Sequence, residues 1–349
     1  RLAAIQGDTN LAAYLAALAY PLDPSVPSLP VITAYDFTGL ENESSRRWSR
    51  RDVLGSDPEN AGIDYGETVP YLLDVALPTE NVRNVPPEYR CLEYAVLPSP
   101  ILRDVAAHGF INVPRDADGI IRRVPLVLGF SYTHPDTGET VRRFVPSFAL
   151  LAVLRHWDVG PEAVTVTFGR DVTIRRDENR AVRIPIDAQG NLYLNFTGRI
   201  RDYHTVSLIR FLQYGEYHVA VSRGQLPESG GRRRMVNRVG RTVGGKLAMV
   251  GLTATGTTDI GPCPVDPQTP YVHVHMTAAG NILTDRFLRE AGPGLQMAVL
   301  AALGIAFTAA ALRTRVWGLT AGAVAVAAGF CVLAYGLVHT HVTVLPMSG

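Results

Sequence analysis

Acidic and basic side chains meet in one short stretch, Phe110–Leu126, which reads FINVPRDADGIIRRVPL. Two aspartates in its DADG segment raise the possibility of a calcium loop, but that motif needs glycine at its sixth position and glutamate at its twelfth. Counted from Asp116, Gly119 falls at position 4 and Val127 at position 12. The spacing therefore predicts a hairpin turn, in which aspartate caps the backbone and glycine supplies a positive φ.

Two arginines, Arg122 and Arg123, follow this turn directly. On a strand, adjacent side chains point to opposite faces. One arginine is therefore expected to reach solvent, and the other to pair with a buried acid such as Asp187 or Asp259. The alternative is ligand capture, because the arginine fork suits anionic ligands. The candidate ligand-binding residues are Arg122, Arg123, Asp259 and His275.

Two histidines, His273 and His275, have the i, i+2 spacing of metal ligands on one face of a strand. A third ligand would have to come from elsewhere, such as His204, His218 or Asp259. The alternative is a structural or hydrogen-bonding role for both imidazoles, and this is the interpretation we favour. No metal or other cofactor is predicted, and the two histidines stay weak metal candidates.

Three further features of the sequence could carry chemistry. GLTATGTTD (Gly251–Asp259) lacks the glycine and lysine order of a phosphate loop, and the chain contains no nucleophile elbow or serine triad order. No enzyme activity is therefore predicted for these residues. The basic cluster Gly231–Arg241 is either a solvated loop or a contact with lipid headgroups or an acidic partner. Cys91 and Cys263 are a candidate disulfide if their compartment is oxidising.

The elements that must position these residues alternate between strands and helices. FINVP and IIRRVPLVLGF predict strands around the RDADG turn, and VRIPIDAQGNLYLNFTG predicts a second hairpin. FVPSFALLAVLRHW predicts a helix with Pro146 in its first turn. Strands are also predicted for AVTVTFG, for DVTIRR, for the start of GGKLAMVGLTATGTTDIGP and for YVHVH, with a helix after the last. This order indicates an α/β domain with a mixed sheet and flanking helices.

Charge disappears from the C-terminal part of the chain, where Arg313 and Arg315 are the only fixed charges after Glu290. Gly294–Leu312 and Gly318–Val338 are free of charge, and as helices they would each extend about 30 Å, the thickness of a bilayer core. They predict a transmembrane helical hairpin. Residues 339–349 would then begin a further segment.

The hairpin has consequences for the rest of the chain. Arginines between the two helices place that turn in the cytoplasm, and therefore residues 1–290 outside it. These residues hold 31 of the 33 basic residues and all 32 acidic ones, so this domain is nearly neutral. No basic field is present that would indicate binding to nucleic acid.

The ordered segments resemble the type-two CHASE domain, an extracytoplasmic sensor of bacterial transmembrane receptors. The matching stretches are GFINVPRDADGIIRRVPLV, VPSFAL, IPIDAQGNLYLNFTG and the region from GKLAMVGLTATGTTDIG to NILTDRFL. In that family the position of His275 is typically histidine, whereas that of His273 is usually acidic. The resemblance therefore implies signal input rather than a metal pair.

We therefore expect the sensory and membrane region of a receptor in the bacterial inner membrane. The expected partners are the lipid bilayer, a second copy of the chain or a larger membrane complex, and a small-molecule or protein ligand. The alternative is a membrane-anchored accessory or structural subunit that docks on a larger complex.

Overall fold

The structure is a computed structural model. It describes residues 32–38, 65–89, 91–92, 94–96, 106–134, 136–203, 205, 207, 246–253, 259–290, 293–313, 322–324, 326–332 and 343–344. The chain divides into two compact units, Arg1–Leu283 and Thr284–Gly349. The predicted mixed α/β class is confirmed for the first unit, which contains both parallel and antiparallel strand pairs together with flanking helices.

A three-stranded sheet has the order β3-β1-β4. Its central strand β1 (Ile32–Thr38) pairs in parallel with β4 (Ala107–Phe110) and antiparallel with β3 (Tyr94–Val96). Helix α1 (Tyr65–Asp74) contacts β4, and helix α2 (Phe148–His156) contacts both β4 and β1. The sheet therefore presents β4 as the platform on which both helices pack.

Helix α2 begins and ends where its sequence provides the signals. The Ser147 side chain caps its N-terminus by accepting a hydrogen bond of 3.2 Å from the Leu150 amide. Pro146 was predicted to lie in the first helical turn. It instead ends the preceding strand and lies before the cap. All six residues from Ala149 to Leu154 are buried. A helix that is apolar on every side must lie in the core, and this one does.

A second sheet has the order β10-β9-β8-β2. Its strands are β2 (Val82–Arg83), β8 (Val164–Thr167), β9 (Asp171–Arg175) and β10 (Ala181–Pro185). The strands predicted from AVTVTFG and DVTIRR are confirmed as β8 and β9. Alternate residues of both strands are fully buried, as expected of a sheet with one face on the core.

A long hairpin lies between these sheets in the chain and carries much of the core. It consists of β6 (Val127–Thr133) and β7 (Thr140–Pro146). One apolar cluster combines the hairpin with α1, α2 and the first sheet, through Leu72, Val75, Leu92, Ala95, Phe110, Leu128, Phe130, Tyr132, Val145 and Leu151. Connections in the described part of the chain include single-turn 3-10 helices at Thr79–Asn81, Pro161–Ala163 and Ile200–Asp202.

The two predicted turns are present, but neither closes a hairpin of adjacent strands. The strand after RDADG is β5 (Arg123–Pro125), which pairs with β11 (Asn191–Tyr193), while β4 pairs with β1. Strand β11 follows the DAQGN turn, yet β10 before that turn pairs with β9. Each turn therefore passes the chain from one sheet to another, a long-range choice that local spacing does not encode.

Three predicted strands are wrong. Of FINVP, only Phe110 lies in a strand, at the end of β4. The segment YVHVH is the start of helix α3 (Tyr271–Thr284), which follows a hairpin of β12 (Ile260–Cys263) and β13 (Asp266–Pro270). Residues 246–253 have no regular structure, and Val250 and Leu252 are exposed. Beta-branched alternation in YVHVH is overridden by packing on both sides of α3.

The second unit contains helix α4 (Pro293–Arg313) and a short parallel pair, β14 (Arg289–Glu290) with β15 (Thr343–Val344). Among the residues that the structure describes, none of the helices meets the length and apolar character needed to span a bilayer. The transmembrane hairpin therefore stays a prediction. Its second half, 318–338, lies partly outside the described residues.

Candidate functional site

The RDADG segment forms a tight turn held by its own backbone and side chains. The Gly119 amide donates to the Asp116 carbonyl at 2.8 Å, and the Ile120 amide donates to the Asp118 carboxylate at 3.0 Å. Gly119 has a φ of 81°, a conformation that glycine adopts without strain. The predicted turn chemistry is thus confirmed.

Arg122 closes over this turn. Its guanidinium binds both oxygens of Asp118, at 2.9 and 2.7 Å, and one oxygen of Asp116 at 3.0 Å. Hydrogen bonds from Arg122 and from the Ile120 amide lower the pKa of Asp118 to about 2. The same carboxylates raise the pKa of the Arg122 guanidinium. The planar guanidinium of Arg122 therefore binds carboxylates of its own chain.

Arg123 joins the first turn to the second. Its guanidinium lies 3.4 Å from the Asp187 carboxylate and 3.9 Å from that of Asp116, and 5.6 Å above the Tyr193 ring. Pairing with Asp187 confirms one predicted partner. The expected opposition of Arg122 and Arg123 is wrong, because both reach Asp116. Arg122 precedes β5, so the alternation of a strand does not govern it.

The carboxylate of Asp187 holds the second turn, DAQGN, together by accepting several hydrogen bonds. Its carboxylate accepts hydrogen bonds from the Gln189 amide at 2.9 Å, the Asn191 amide at 2.8 Å and the Asn191 side chain at 3.0 Å. We call Asp116, Asp118, Arg122, Arg123 and Asp187 the acid–arginine cluster. It connects the two turns on either side of the β5–β11 pair.

Asp259 is not among the carboxylates that pair with these arginines. It is exposed, and its backbone carbonyl accepts a hydrogen bond of 3.0 Å from the Tyr271 amide. Arg115 contributes a contact that sequence reasoning missed, by donating to the Tyr271 hydroxyl at 2.9 Å and to the Ile260 carbonyl at 3.2 Å. The ligand-binding assignment of Arg122, Arg123, Asp259 and His275 stays a prediction.

His273 and His275 do not share a face. At about 100° per residue, an i, i+2 pair on a helix is separated by about 200°. The His273 ring packs against Phe196 and Tyr203, with centroids 5.9 and 5.3 Å away, while the His275 ring packs against Phe148 at 6.0 Å. Within the described residues, no group of three or more potential ligands is arranged to hold a metal ion. The prediction that both histidines lie on one face of a strand is therefore wrong.

Both imidazoles are buried, and aromatic rings pack against them. Burial lowers the pKa of His275 to about 4 and lowers that of His273, against the opposing effect of the nearby Asp266 and Asp202 carboxylates. Neither ring has a nitrogen in hydrogen-bonding geometry with a described residue. The Ile111 backbone lies close enough to favour a charged His275 slightly, but burial dominates.

A buried polar atom without a partner costs about 1–3 kcal/mol. The contrast with His108 is informative, because that buried ring is hydrogen-bonded to the Thr33 hydroxyl at 2.6 Å. The two α3 histidines are therefore neutral, buried and held by packing alone among the described residues.

The same helix carries a polar contact that the sequence reasoning missed. The Asn281 side-chain amide donates to the Asn195 carbonyl at 3.0 Å, and its oxygen accepts from the Asn195 amide at 2.9 Å. His273, Thr277 and Asn281 are spaced by four and are all buried, so they form one polar stripe on α3. That spacing inside an apolar helix was the signal available in the sequence.

The predicted disulfide is not formed. Cys91 and Cys263 both have free thiols. The Cys91 thiol lies beside Gly129 on β6, and that of Cys263 is 2.9 Å from the Thr269 hydroxyl within the β12–β13 hairpin. Different strands hold the two cysteines in different surroundings. The basic cluster 231–241 and positions 254–258 of the glycine- and threonine-rich loop lie outside the described residues.

Comparison with known protein families gives a match over most of the chain. The model of the CHASE2 domain matches residues 6–312 of the chain. No curated protein and no solved structure matches it. CHASE2 domains are sensory, non-catalytic parts of receptors that act on the extracellular or periplasmic side. The match spans well over half of the sequence, and the chain therefore belongs to the CHASE2 family of sensor domains.

Proposed function

We propose that this chain is the sensory and membrane region of a bacterial transmembrane receptor. Residues 1–290 would lie outside the inner membrane, bind a small molecule or protein, and pass the signal through the helices that follow. Membership of the CHASE2 family is the observation that carries this proposal. We also propose that two copies of the chain act together in the membrane.

The course of the chain supports an output through its C-terminal part. Helix α3 ends at Thr284 and α4 begins at Pro293, so few residues separate the sensor unit from the helix that follows. Large apolar side chains on α4 are exposed, with Met297 at 67% and Ile305 at 71%. Apolar surface of this kind is stabilised by removal from water, which lipid would provide.

Contacts within the sensor unit offer a route from its turns to α3. The acid–arginine cluster fixes the ends of β11, and the residues that follow β11 reach α3 through the Asn195–Asn281 hydrogen bonds. A ligand that binds one arrangement of these turns better than another would shift the population of α3 positions. The signal would then be a change in a packed helix rather than a chemical reaction.

Membrane orientation provides the first test. Single cysteines would replace Glu178, in an exposed turn of the first unit, and Arg313, the last residue of α4, in a chain whose own cysteines are replaced by alanine. A membrane-impermeant maleimide should label Glu178→Cys in intact spheroplasts and Arg313→Cys only after permeabilisation. Labelling of Arg313→Cys in intact spheroplasts, or a lack of labelling of Glu178→Cys there, contradicts the proposal. The cysteine-free chain is the control.

The accessory-subunit alternative makes a different prediction. A receptor region should be recovered from gently solubilised membranes as copies of its own chain, joined to a cytoplasmic output domain. An accessory subunit should be recovered with unrelated subunits in a larger complex. Native mass measurement of the full-length gene product distinguishes the two.

A further inference from the structure

Helix α3 is buried on two sides, and each side contains one histidine. His273 has no exposed surface and His275 is 4% exposed. Aromatic rings cover both, from the segment after β11 on one side and from α2 on the other. A helix that is packed in this way can hold a neutral imidazole, but it has little capacity to solvate an imidazolium.

We propose that α3 is a proton-responsive element, in which protonation of His273 and His275 in an acidified extracytoplasmic space loosens the helix from its neighbours. The proton is then a signal that the sensor domain perceives. This inference rests on the proposed sensory function, and it names a ligand for it.

Within the part of the chain that the structure describes, no charged side chain favours the protonated form of His275. The groups that face it from neighbouring elements are the Phe148 ring of α2 and the backbone of Ile111, after β4. Burial is the main cause of its lowered pKa, which is about 4. His275 therefore becomes charged near neutral pH only when α3 leaves its packed position.

His273 has a more mixed environment. The Asp202 and Asp266 carboxylates favour its charged form, but burial outweighs them and lowers its pKa. The Tyr203 ring covers it, and the Arg199 guanidinium on the same segment donates to the Val265 carbonyl at 2.9 Å. Burial thus opposes the protonation of both residues, and they act in the same direction.

The sign of the pH effect follows from the lowered pKa values. A loosened helix would expose imidazoles with a pKa of about 6.5, so it binds protons that the packed helix does not. Packing is fully stable above about pH 6.5 and weakens as the pH falls toward 4. For His275 alone, the ratio of loosened to packed helix should rise about 20-fold between pH 7 and pH 5.

Hydrogen exchange of the full chain in lipid nanodiscs measures this ratio. Labelling at pH 7, 6 and 5, corrected for the intrinsic pH dependence of amide exchange, should show protection of 271–284 falling by about 20-fold or more. His275→Leu should lose most of this dependence. His156→Leu, which removes an exposed histidine at the end of α2, should retain it. Equal protection of α3 at pH 7 and pH 5 overturns the proposal, as does an unchanged dependence in His275→Leu.

A second measurement avoids the risk that a leucine variant misfolds. The imidazole chemical shifts of His273 and His275 in the wild-type chain should report neutral rings well below pH 6.5. An ordinary titration of both rings overturns the inference. Neither readout depends on membrane orientation. Cysteine labelling that contradicts the receptor topology would leave a measured pH response of α3 intact, so the two proposals fail separately.

Discussion

The side-chain amide of Asn281 replaces the backbone partners that Asn195 would otherwise find on a neighbouring strand. Both hydrogen bonds are within 3.0 Å, and Asn281 is 4% exposed. Arg122 likewise donates hydrogen bonds from its guanidinium to the carboxylates of Asp118 and Asp116. Both side chains therefore bind other parts of the same chain and hold the turns and α3 in position.

Replacing Asn281 with alanine should lower the free energy of unfolding by about 1–3 kcal/mol, because the Asn195 amide and carbonyl lose their partners in a half-buried site. Urea denaturation of the chain would measure this change. Asn179→Ala, in an exposed turn, should stay within about 0.5 kcal/mol of the wild type. Equal stability of the two variants would show that Asn281 does not hold α3.

Arg122→Lys should raise the pKa of Asp118 from about 2 toward its ordinary value of 3.8. A lysine offers a point charge without the planar fork that binds both carboxylate oxygens. Carbon-detected titration of the Asp118 carboxyl would measure the shift. Arg170→Lys, at an exposed arginine, is the matched control and should leave Asp118 unchanged.

At the scale of elements, the space around two glycines shows how closely α2 and α3 pack against their surroundings. A Cβ at Gly109 on β4 would lie 2.5 Å from the Phe148 Cα, so only glycine allows α2 to pack there. Gly280 on α3 has open space where a Cβ would be. Close packing of α2 therefore requires glycine at position 109 on β4, whereas packing leaves room for a side chain at position 280 on α3.

Gly109→Ala should destabilise the domain by about 1–3 kcal/mol, because the added methyl group forces β4 and α2 apart. Gly280→Ala should instead stabilise it by about 0.5–1 kcal/mol through helix propensity. Thermal unfolding of both variants gives the comparison directly. A stabilising Gly109→Ala would mean that α2 does not pack on β4 as closely as the structure has it.

At the scale of the whole molecule, stability in acid combines two kinds of titrating group. His273 and His275 have lowered pKa values through burial, and Asp118 has a lowered pKa through its hydrogen bonds. In each case the unfolded chain binds protons more readily than the folded chain. The folded state therefore loses stability as the pH is lowered, but over different pH ranges for the histidines and for Asp118.

We expect unfolding in acid to proceed in two stages. The first lies between about pH 6.5 and pH 4, where the histidines take up protons on unfolding. The second lies below 3.8, the ordinary value for Asp118, and extends to about 2. Denaturant midpoints measured across this range should show both, and Asp118→Asn should weaken only the second. High salt should also weaken the second stage, because Asp118 is exposed.

Much of the fold follows from local pattern. Alternation in VTVTFG and DVTIRR, the apolar run of the helix in FVPSFALLAVLRHW, and the glycine of the DADG turn each reflect interactions within a few residues. These were predicted correctly for that reason, as was the α/β class. The family resemblance also rested on the order of such segments, and it is confirmed.

What only the tertiary structure decided is which distant segments meet. Pairing of β5 with β11 and of β4 with β1 depends on contacts made far along the chain, so both turns appeared to be simple hairpins in the sequence. The YVHVH segment has a strand pattern, yet two buried faces make it helical and send its histidines to opposite sides. Sequence alone determined the family and the turns, because they depend on residue type and spacing. The tertiary structure decided the environment of each histidine and arginine, because burial and charge pairing exist only after the chain has folded.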